Sequence, residues 1–323
     1  MGELNSAVLK QFGLRVGKVS REKAYFICET PEGAYRVSKT ADTPGRIFFM
    51  HELKERLTGA GFPWVDRYAV ALTGEPFATA GGDRYVMTAF TPRRESDFTD
   101  FIDFSRVVEA VARWHSLARA VDFSPKAAVM IPAQTLPEIF RKQTSELAAT
   151  RKRVSRQARL SDFDVLFIKN ANHYMAQMNK AAAALEATGY GARKALALSE
   201  KHICHNSLKE EYLPVSGEQV WVTHYSEACV DLQLIDLCGL IRRYVQRTGL
   251  CARPLANLLE IYSRFAPLGQ GDVEILRAML LYPYPFIKIT SQYYSKKRSW
   301  TPNAITNRMQ QALLERDIYE KYI

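Results

Sequence analysis

Long apolar runs are missing from this chain. No stretch of its 323 residues approaches the ~20 consecutive apolar residues of a membrane-spanning helix, so no membrane span is expected. Met1–Gln11 lacks the basic-then-apolar pattern of a secretory signal, and synthesis in a cytoplasm follows. Cysteine is scarce and odd in number: Cys28, Cys204, Cys229, Cys238 and Cys251. Their spacing matches no zinc site, and the odd count argues against a complete disulfide framework. Reduced, mostly buried thiols are the expectation. Acidic residues fall short of basic ones, 34 against 44, leaving a net charge of +10. A basic face attracts acidic partners. No nucleic-acid-binding motif accompanies the charge, so nucleic acid is not an expected partner. Internal repeats and low-complexity linkers are absent as well.

Apolar content of 47% is enough to bury a sizeable core, and the length suits two domains or one large two-lobed unit. From residue 14 to 38 apolar and polar positions alternate: Leu14, Val16 and Val19, then Tyr25 and Ile27, then Tyr35 and Val37. With Gly33 marking a turn, this predicts a three-stranded antiparallel meander. The first connection, Ser20-Arg21-Glu22-Lys23, has no glycine, so backbone amides there cannot approach a phosphate closely. A helix is expected over Arg46–Leu57, between Pro44 and Gly59, with Ile47, Met50, Leu53 and Leu57 on its apolar face. Two strands are expected at Val65–Leu72 and Arg84–Phe90, and Thr91-Pro92-Arg93-Arg94 reads as a hinge. Beyond it the periodicity is helical: Phe104–Val121, Leu136–Lys152, Val165–Ala187, Leu232–Thr248, Pro254–Phe265, Gly271–Leu281, Phe286–Ser295 and Ile305–Tyr322. The densest basic cluster is Arg151, Lys152, Arg153, Arg156 and Arg159.

The stretch Ile203-Cys204-His205-Asn206-Ser207-Leu208-Lys209-Glu210-Glu211-Tyr212 has the outline of a phosphotransferase catalytic loop. It resembles the His-Gly-Asp, four residues, Asn loop of small-molecule kinases of the aminoglycoside-phosphotransferase and choline-kinase type. There the Asp accepts the substrate hydroxyl proton and the Asn holds magnesium. Here His205 is kept, Ser207 takes the Asp position and Tyr212 the Asn position. Downstream, Val220-Trp221-Val222-Thr223-His224-Tyr225-Ser226 falls where those kinases carry a strand ending in Asp-Phe-Asp or Asp-Phe-Gly. His224 stands at the metal-binding Asp. A serine hydroxyl has no useful basicity near neutral pH, and an imidazole is a poor magnesium ligand.

Further segments sharpen the resemblance. They are Val8-Leu9-Lys10-Gln11-Phe12-Gly13-Leu14, Gly61-Phe62-Pro63-Trp64-Val65-Asp66-Arg67-Tyr68, Ala112-Arg113-Trp114-His115, Ser161-Asp162-Phe163-Asp164 and Asp236-Leu237-Cys238-Gly239-Leu240. In order and spacing the chain resembles the CotS-type spore coat proteins, over nearly its whole length. The resemblance implies an α+β fold, bilobed and protein-kinase-like. A small antiparallel-sheet N-lobe is expected at 1–90 and a large helical C-lobe, with the degenerate loop, at 91–323. It implies a spore-coat location after synthesis in the mother-cell cytoplasm, and other coat proteins, acidic ones, as partners of the 151–159 cluster. With Ser207, Tyr212 and His224 in place of the reactive residues, an inactive structural or assembly component is expected, with no cofactor and no metal. The alternatives are a phosphotransferase with rearranged ligands, drawing on Glu210 or Glu211, and a binding module without turnover. Lys39 and Glu52 are the candidates for a phosphate-pairing lysine and its carboxylate. A soft-metal site at His205 and His224 beside Cys204 is a further alternative. His115 is expected in the core and Asp236 near a helix N-terminus. Tyr282, Tyr284, Tyr293, Tyr294, Tyr319 and Tyr322 crowd the C-terminal region.

Overall fold

A computed structural model describes residues 6–15, 17–22, 24–249, 252–295 and 301–322. Val16, Lys23, Cys251 and the side chains of Tyr319 and Tyr322 lie outside the described residues. The chain forms two compact units, Met1–Ile131 with Glu200–Gln233 and Arg264–Ala266, and Pro132–Ser199 with Leu234–Ser263 and Pro267–Ile323.

The first unit opens with helix α1 (Ser6–Gln11) and strands β1 (Lys18–Arg21), β2 (Phe26–Thr30) and β3 (Gly33–Thr40). Helix α2 (Pro44–Gly59), β4 (Ala78–Ala80) and β5 (Asp83–Ala89) follow. The strands form one antiparallel sheet in the order β1-β2-β3-β5-β4. The expected meander is therefore present, with Cys28 opposite Tyr35 and Val37 opposite Met87. Val37, Cys28, Met87 and Ala78 project from one face and bury against Val8, Leu9 and Phe12 of α1 and its exit. That contact explains why the short α1, too brief to stand alone, is helical.

Helix α2 starts where Thr43 accepts a hydrogen bond from the Arg46 amide at 3.3 Å, with Pro44 just inside. Its buried side is Ile47, Met50, Leu53 and Leu57, as the spacing predicts, and also Lys54.

The segment Val65–Leu72 is not the strand its alternation suggests. Val65 and Arg67 donate to carbonyls only two residues back, Pro63 and Val65, at 2.9 and 3.0 Å. These tight turns leave two isolated bridges, Val65 to Val222 and Tyr68 to Thr88, in place of a ladder. β4 takes the sheet edge instead.

The Thr91–Arg94 segment is tied down. Arg94 and Val215 exchange backbone hydrogen bonds at 3.2 and 2.8 Å, and the Arg94 guanidinium grips Asp103 with two contacts of 2.7 Å. Asp103 lies in the first turn of α3 (Phe101–Leu117), which Asp100 caps. This helix buries Val107, Val111, Trp114 and His115, the last as expected. Short pairs complete the unit: β6 (Ile203–Cys204) runs antiparallel to β9 (Cys229–Val230), and β7 (Val215–Ser216) to β8 (Gln219–Val220).

The second unit is helical: α4 (Leu136–Val154), α5 (Asp162–Ala187), α6 (Tyr190–Ser199), α7 (Leu234–Thr248), α8 (Ala252–Ser263), α9 (Asp272–Leu281), α10 (Tyr284–Tyr294) and α11 (Pro302–Tyr322). Capping boxes start α4 (Thr135 with Glu138) and α5 (Ser161 with Asp164). Of the tyrosine crowd, Tyr282 is buried and Tyr293 and Tyr294 are half-buried. Tyr282 stacks on Phe140 at 3.9 Å, Tyr293 stacks on Phe163 at 3.9 Å, and the Tyr294 hydroxyl donates to Asp164 at 2.9 Å, whereas Tyr284 is exposed. Asp236 is buried in the first turn of α7. Among the described residues, no helix is long and apolar enough to cross a membrane.

Candidate functional site

β6 delivers the loop. Its last residue, Cys204, leads into His205, which is fully buried, and the chain then turns at Asn206 with φ of 61°. Asparagine is among the few residues that tolerate this left-handed conformation. His205 Nδ1 accepts from the Ser207 amide at 3.3 Å, so the proton sits on Nε2 and is donated to the Thr223 carbonyl at 2.8 Å. The ring also meets Trp114 and Tyr225 edge-on or tilted, at centroid distances of 6.1 and 5.3 Å. Trp114 Nε1 donates to the Tyr225 hydroxyl at 3.0 Å, which donates to the Val222 carbonyl at 3.1 Å. Burial pushes the Tyr225 phenol up, so it stays a neutral donor. These buried rings hold the loop and the 222–225 segment in one arrangement.

Of the residues at the degenerate positions, Tyr212 and His224 are brought together, and the Ser207 amide is tied to His205. Ser207 is half-buried. The Tyr212 and His224 rings stack face to face, 4.0 Å apart and 14° from parallel. Their backbones are cross-tied, since the Thr223 amide and hydroxyl both donate to the Tyr212 carbonyl at 3.0 Å. His224 is itself left-handed, with φ of 68°, and its amide meets Asp66 Oδ2 at 3.4 Å. His224 is exposed, and the partial loss of water around its imidazole lowers the pKa from the ordinary histidine value, against the pull of Asp66 and with the help of Arg36, Lys54 and Lys209. Glu211 is exposed and pairs with Lys209 at 3.6 Å, while Glu210 is half-buried in the short helical turn that carries Tyr212.

Sequence reasoning missed the cations behind this stack. Lys54 is fully buried, 3.1 Å from Asp66 Oδ1, with its ammonium 3.6 Å from the Tyr68 ring centroid and 5.1 Å from that of Tyr225. The contact with Asp66 is an ion pair without hydrogen-bond alignment, for neither Lys54 Nζ nor Asp66 Oδ1 finds a hydrogen-bond partner among the described residues. Burial lowers the Lys54 pKa, and Asp66 opposes it. The Tyr68 phenol is pushed up, chiefly by burial. Arg46 reaches from α2 to the carbonyls of Ser226, at 3.0 Å, and Ala228, and Arg93 lies 3.5 Å over the Trp221 ring. The available signal was a lysine inside the apolar stripe of α2.

Lys39 and Glu52 are not brought together. Lys39 pairs with Asp83 at 2.6 Å on the exposed side of the sheet, and Glu52 accepts from the Ser124 amide at 2.8 Å. Among the described residues, no group of three or more His, Cys, Asp or Glu side chains is placed to hold a metal. In the second unit, Arg151, Lys152 and Arg153 occupy the last turn of α4, where cations suit the helix dipole, with Arg156 and Arg159 exposed beyond it. Arg153 lies 5.6 Å from the Tyr294 ring centroid.

Solved structures share this architecture across the whole chain. An aminoglycoside phosphotransferase from Alicyclobacillus acidocaldarius superposes with a TM-score of 0.88 at 14% identity, covering 100% of this chain and 95% of that one. The AMP-bound complex of a spectinomycin phosphotransferase gives 0.68 at 10% identity, with 96% and 95% covered. An amicoumacin kinase in complex with AMP-PNP gives 0.56 at 11%, with 97% and 92% covered. The α+β, kinase-like fold of the aminoglycoside phosphotransferases is therefore the class of this protein. No curated protein matches the chain. The chain belongs to the family described as Spore coat putative kinase YutH, whose model matches residues 5–323, in agreement with the CotS-type resemblance of its sequence.

Proposed function

We propose that this spore coat kinase-like protein is catalytically inactive and serves as a structural or assembly component of the coat. The observation that carries the reading is the Tyr212–His224 stack. By the family pattern these two positions hold the metal that neutralises a transferring phosphoryl group. Two stacked rings, an imidazole and a phenol with no carboxylate between them, do not fit a hard cation that requires oxygen ligands in octahedral array. Ser207 supplies no carboxylate base, and the β1–β2 connection supplies no glycine to admit a phosphate. Asp66, a carboxylate beside the stack, is engaged by Lys54 and by the His224 amide. Meanwhile the rings of Trp114, His205 and Tyr225 retain the loop as a packing element.

A second reading, a cleft that binds without turnover, is favoured by one observation. Lys54, fully buried, carries three ammonium donors, and its 3.1 Å contact with Asp66 Oδ1 is not aligned as a hydrogen bond, which leaves donor capacity for a bound oxygen. In the assembly reading, the exposed basic residues of the 151–159 cluster dock an acidic coat protein.

The test is complementation in sporulating cells. Glu210→Gln and Glu211→Gln remove the groups a rearranged kinase would use. Both variants are expected to enter the coat at wild-type occupancy and to restore wild-type spores. Loss of either outcome by a folded variant would overturn the inactive reading.

A further inference from the structure

Cys204 and Cys229 face each other across the β6–β9 pair, and neither sulfur is in a disulfide. We propose that they form an oxidative modification site, closing to an intrachain disulfide by exchange with a small-molecule disulfide.

The register decides the geometry. The Asp231 amide donates to the His202 carbonyl at 3.0 Å, so the 202–231 pair is in the hydrogen-bonded phase of the ladder. At the next pair the amides turn outward, Ile203 to the Ala118 carbonyl at 2.8 Å and Val230 to the Met130 carbonyl at 2.9 Å. Cys204–Cys229, one step on, returns to the hydrogen-bonded phase. Residues so paired have Cα atoms about 5.5 Å apart, inside the ~4.4–6.8 Å range of disulfides. Their side chains leave the same face of the two strands. Opposed Cβ atoms stand ~4.5–5.5 Å apart, widest in this phase, whereas a disulfide needs ~3.5–4.5 Å, so closure draws the strands together by about 1 Å. With only two residues per strand, that movement is local. A bond formed under such constraint is readily reduced, the behaviour of a labile disulfide rather than a structural one.

The chemistry balances as ordinary exchange. One cysteine thiolate attacks the small disulfide, displacing one thiol and forming a mixed disulfide. The second thiolate attacks the protein sulfur of that intermediate and displaces the other thiol. Two S–H bonds are lost from the protein, and the two electrons go to the small disulfide. Both sulfurs belong to residues only 1% exposed, so the two-strand ladder must open before exchange, and the reaction is slow. Cys28 and Cys238 are buried elsewhere, Cys28 among Val8, Val37 and Met87 and Cys238 in α7. The product encloses the whole degenerate site, with His205, Ser207, Tyr212, His224 and Tyr225 inside the cross-linked loop.

The experiment incubates the native full-length protein with oxidised glutathione, blocks remaining thiols with N-ethylmaleimide, and maps peptides without reduction. A Cys204–Cys229 peptide pair, lighter by two hydrogens, is expected to accumulate and to be the dominant linkage. It should disappear under millimolar reduced glutathione without denaturant, and be absent from Cys204→Ser and Cys229→Ser. Wild-type protein that yields no such pair, or yields it only in urea, would overturn the proposal. A pair that resists reduced glutathione in the folded protein would refute the labile geometry.

Discussion

Replacing Asp66 by Asn probes the ion pair behind the stacked rings. Lys54 is fully buried, and Asp66 is the carboxylate at its ammonium. Removing one partner of a buried pair strands the other charge, at a cost of ~3–5 kcal/mol. Because the Asp66 side chain keeps 24% exposure, we take the lower end, ~3 kcal/mol, as the expected loss at pH 7. Lys54→Met is the contrasting variant. It removes the buried charge, leaves Asp66 partly hydrated, and should cost no more than ~1.5 kcal/mol. The pH dependence has a definite sign. Burial lowers the Lys54 pKa in the folded state, so between that value and the ordinary lysine value of ~10.4 the unfolded chain binds more protons, and stability rises with pH. Without Asp66 the folded pKa falls further, so the deficit of Asp66→Asn shrinks as pH is raised towards 10. The assay is urea denaturation followed by tryptophan fluorescence at pH 7 and 9.5. Trp64, Trp114 and Trp221 all lie in the first unit and report on it. An Asp66→Asn variant within about 1 kcal/mol of wild type at pH 7, or a deficit that grows with pH, would refute the reasoning.

Three further outcomes are expected. His205→Ala leaves the Thr223 carbonyl without its donor and a void beside Trp114, and should lower stability by about 2–4 kcal/mol in the same denaturation assay. Ser207→Asp alone should produce no ATP turnover above a heat-inactivated control, because groups that act as a unit recover little when one is restored. Reversing Arg151, Lys152 and Arg153 to Glu should reduce coat occupancy of the labelled, folded protein, and binding to the coat in vitro should weaken with salt, since exposed charges are screened over ~8 Å at physiological ionic strength. Normal occupancy would make the cluster a solvated helix end.

Much of the architecture was legible because the relevant signals are local. Alternation over Tyr25–Val37 marked β2 and β3, and Pro44 with Gly59 bracketed α2. Helix α4 begins where the pattern placed it, at Leu136. The misreadings have tertiary causes. Val65–Leu72 alternates, but the Val65 and Arg67 amides bond two residues back, and those of Ala69, Ala71 and Leu72 go to three separate places, Met87, Glu75 and Gln11. Helix α6 was hidden by Gly189 and Gly191 at its start, yet it is anchored by the two-pronged Arg193–Asp272 contact at 2.7 Å. At the site, the positions 205, 207, 212 and 224 were readable from the loop pattern. That Tyr212 would stack on His224 was not, because it depends on Thr223 bonding back to the Tyr212 carbonyl. The pairing of Lys54 with Asp66 was hidden for a similar reason: α2 supplies one, an irregular loop the other, and only the fold joins them.

Calorimetry and thermal melting with millimolar Mg-ATP test the inactive reading most directly. A nucleotide present at one hundred times its dissociation constant stabilises a folded protein by ~2.7 kcal/mol. The stacked Tyr212 and His224 rings and the glycine-free β1–β2 connection predict no binding heat, no upward shift in Tm and no phosphate release. A saturable heat with a clear rise in Tm, or steady release of phosphate that Ser207→Ala abolishes, would contradict it.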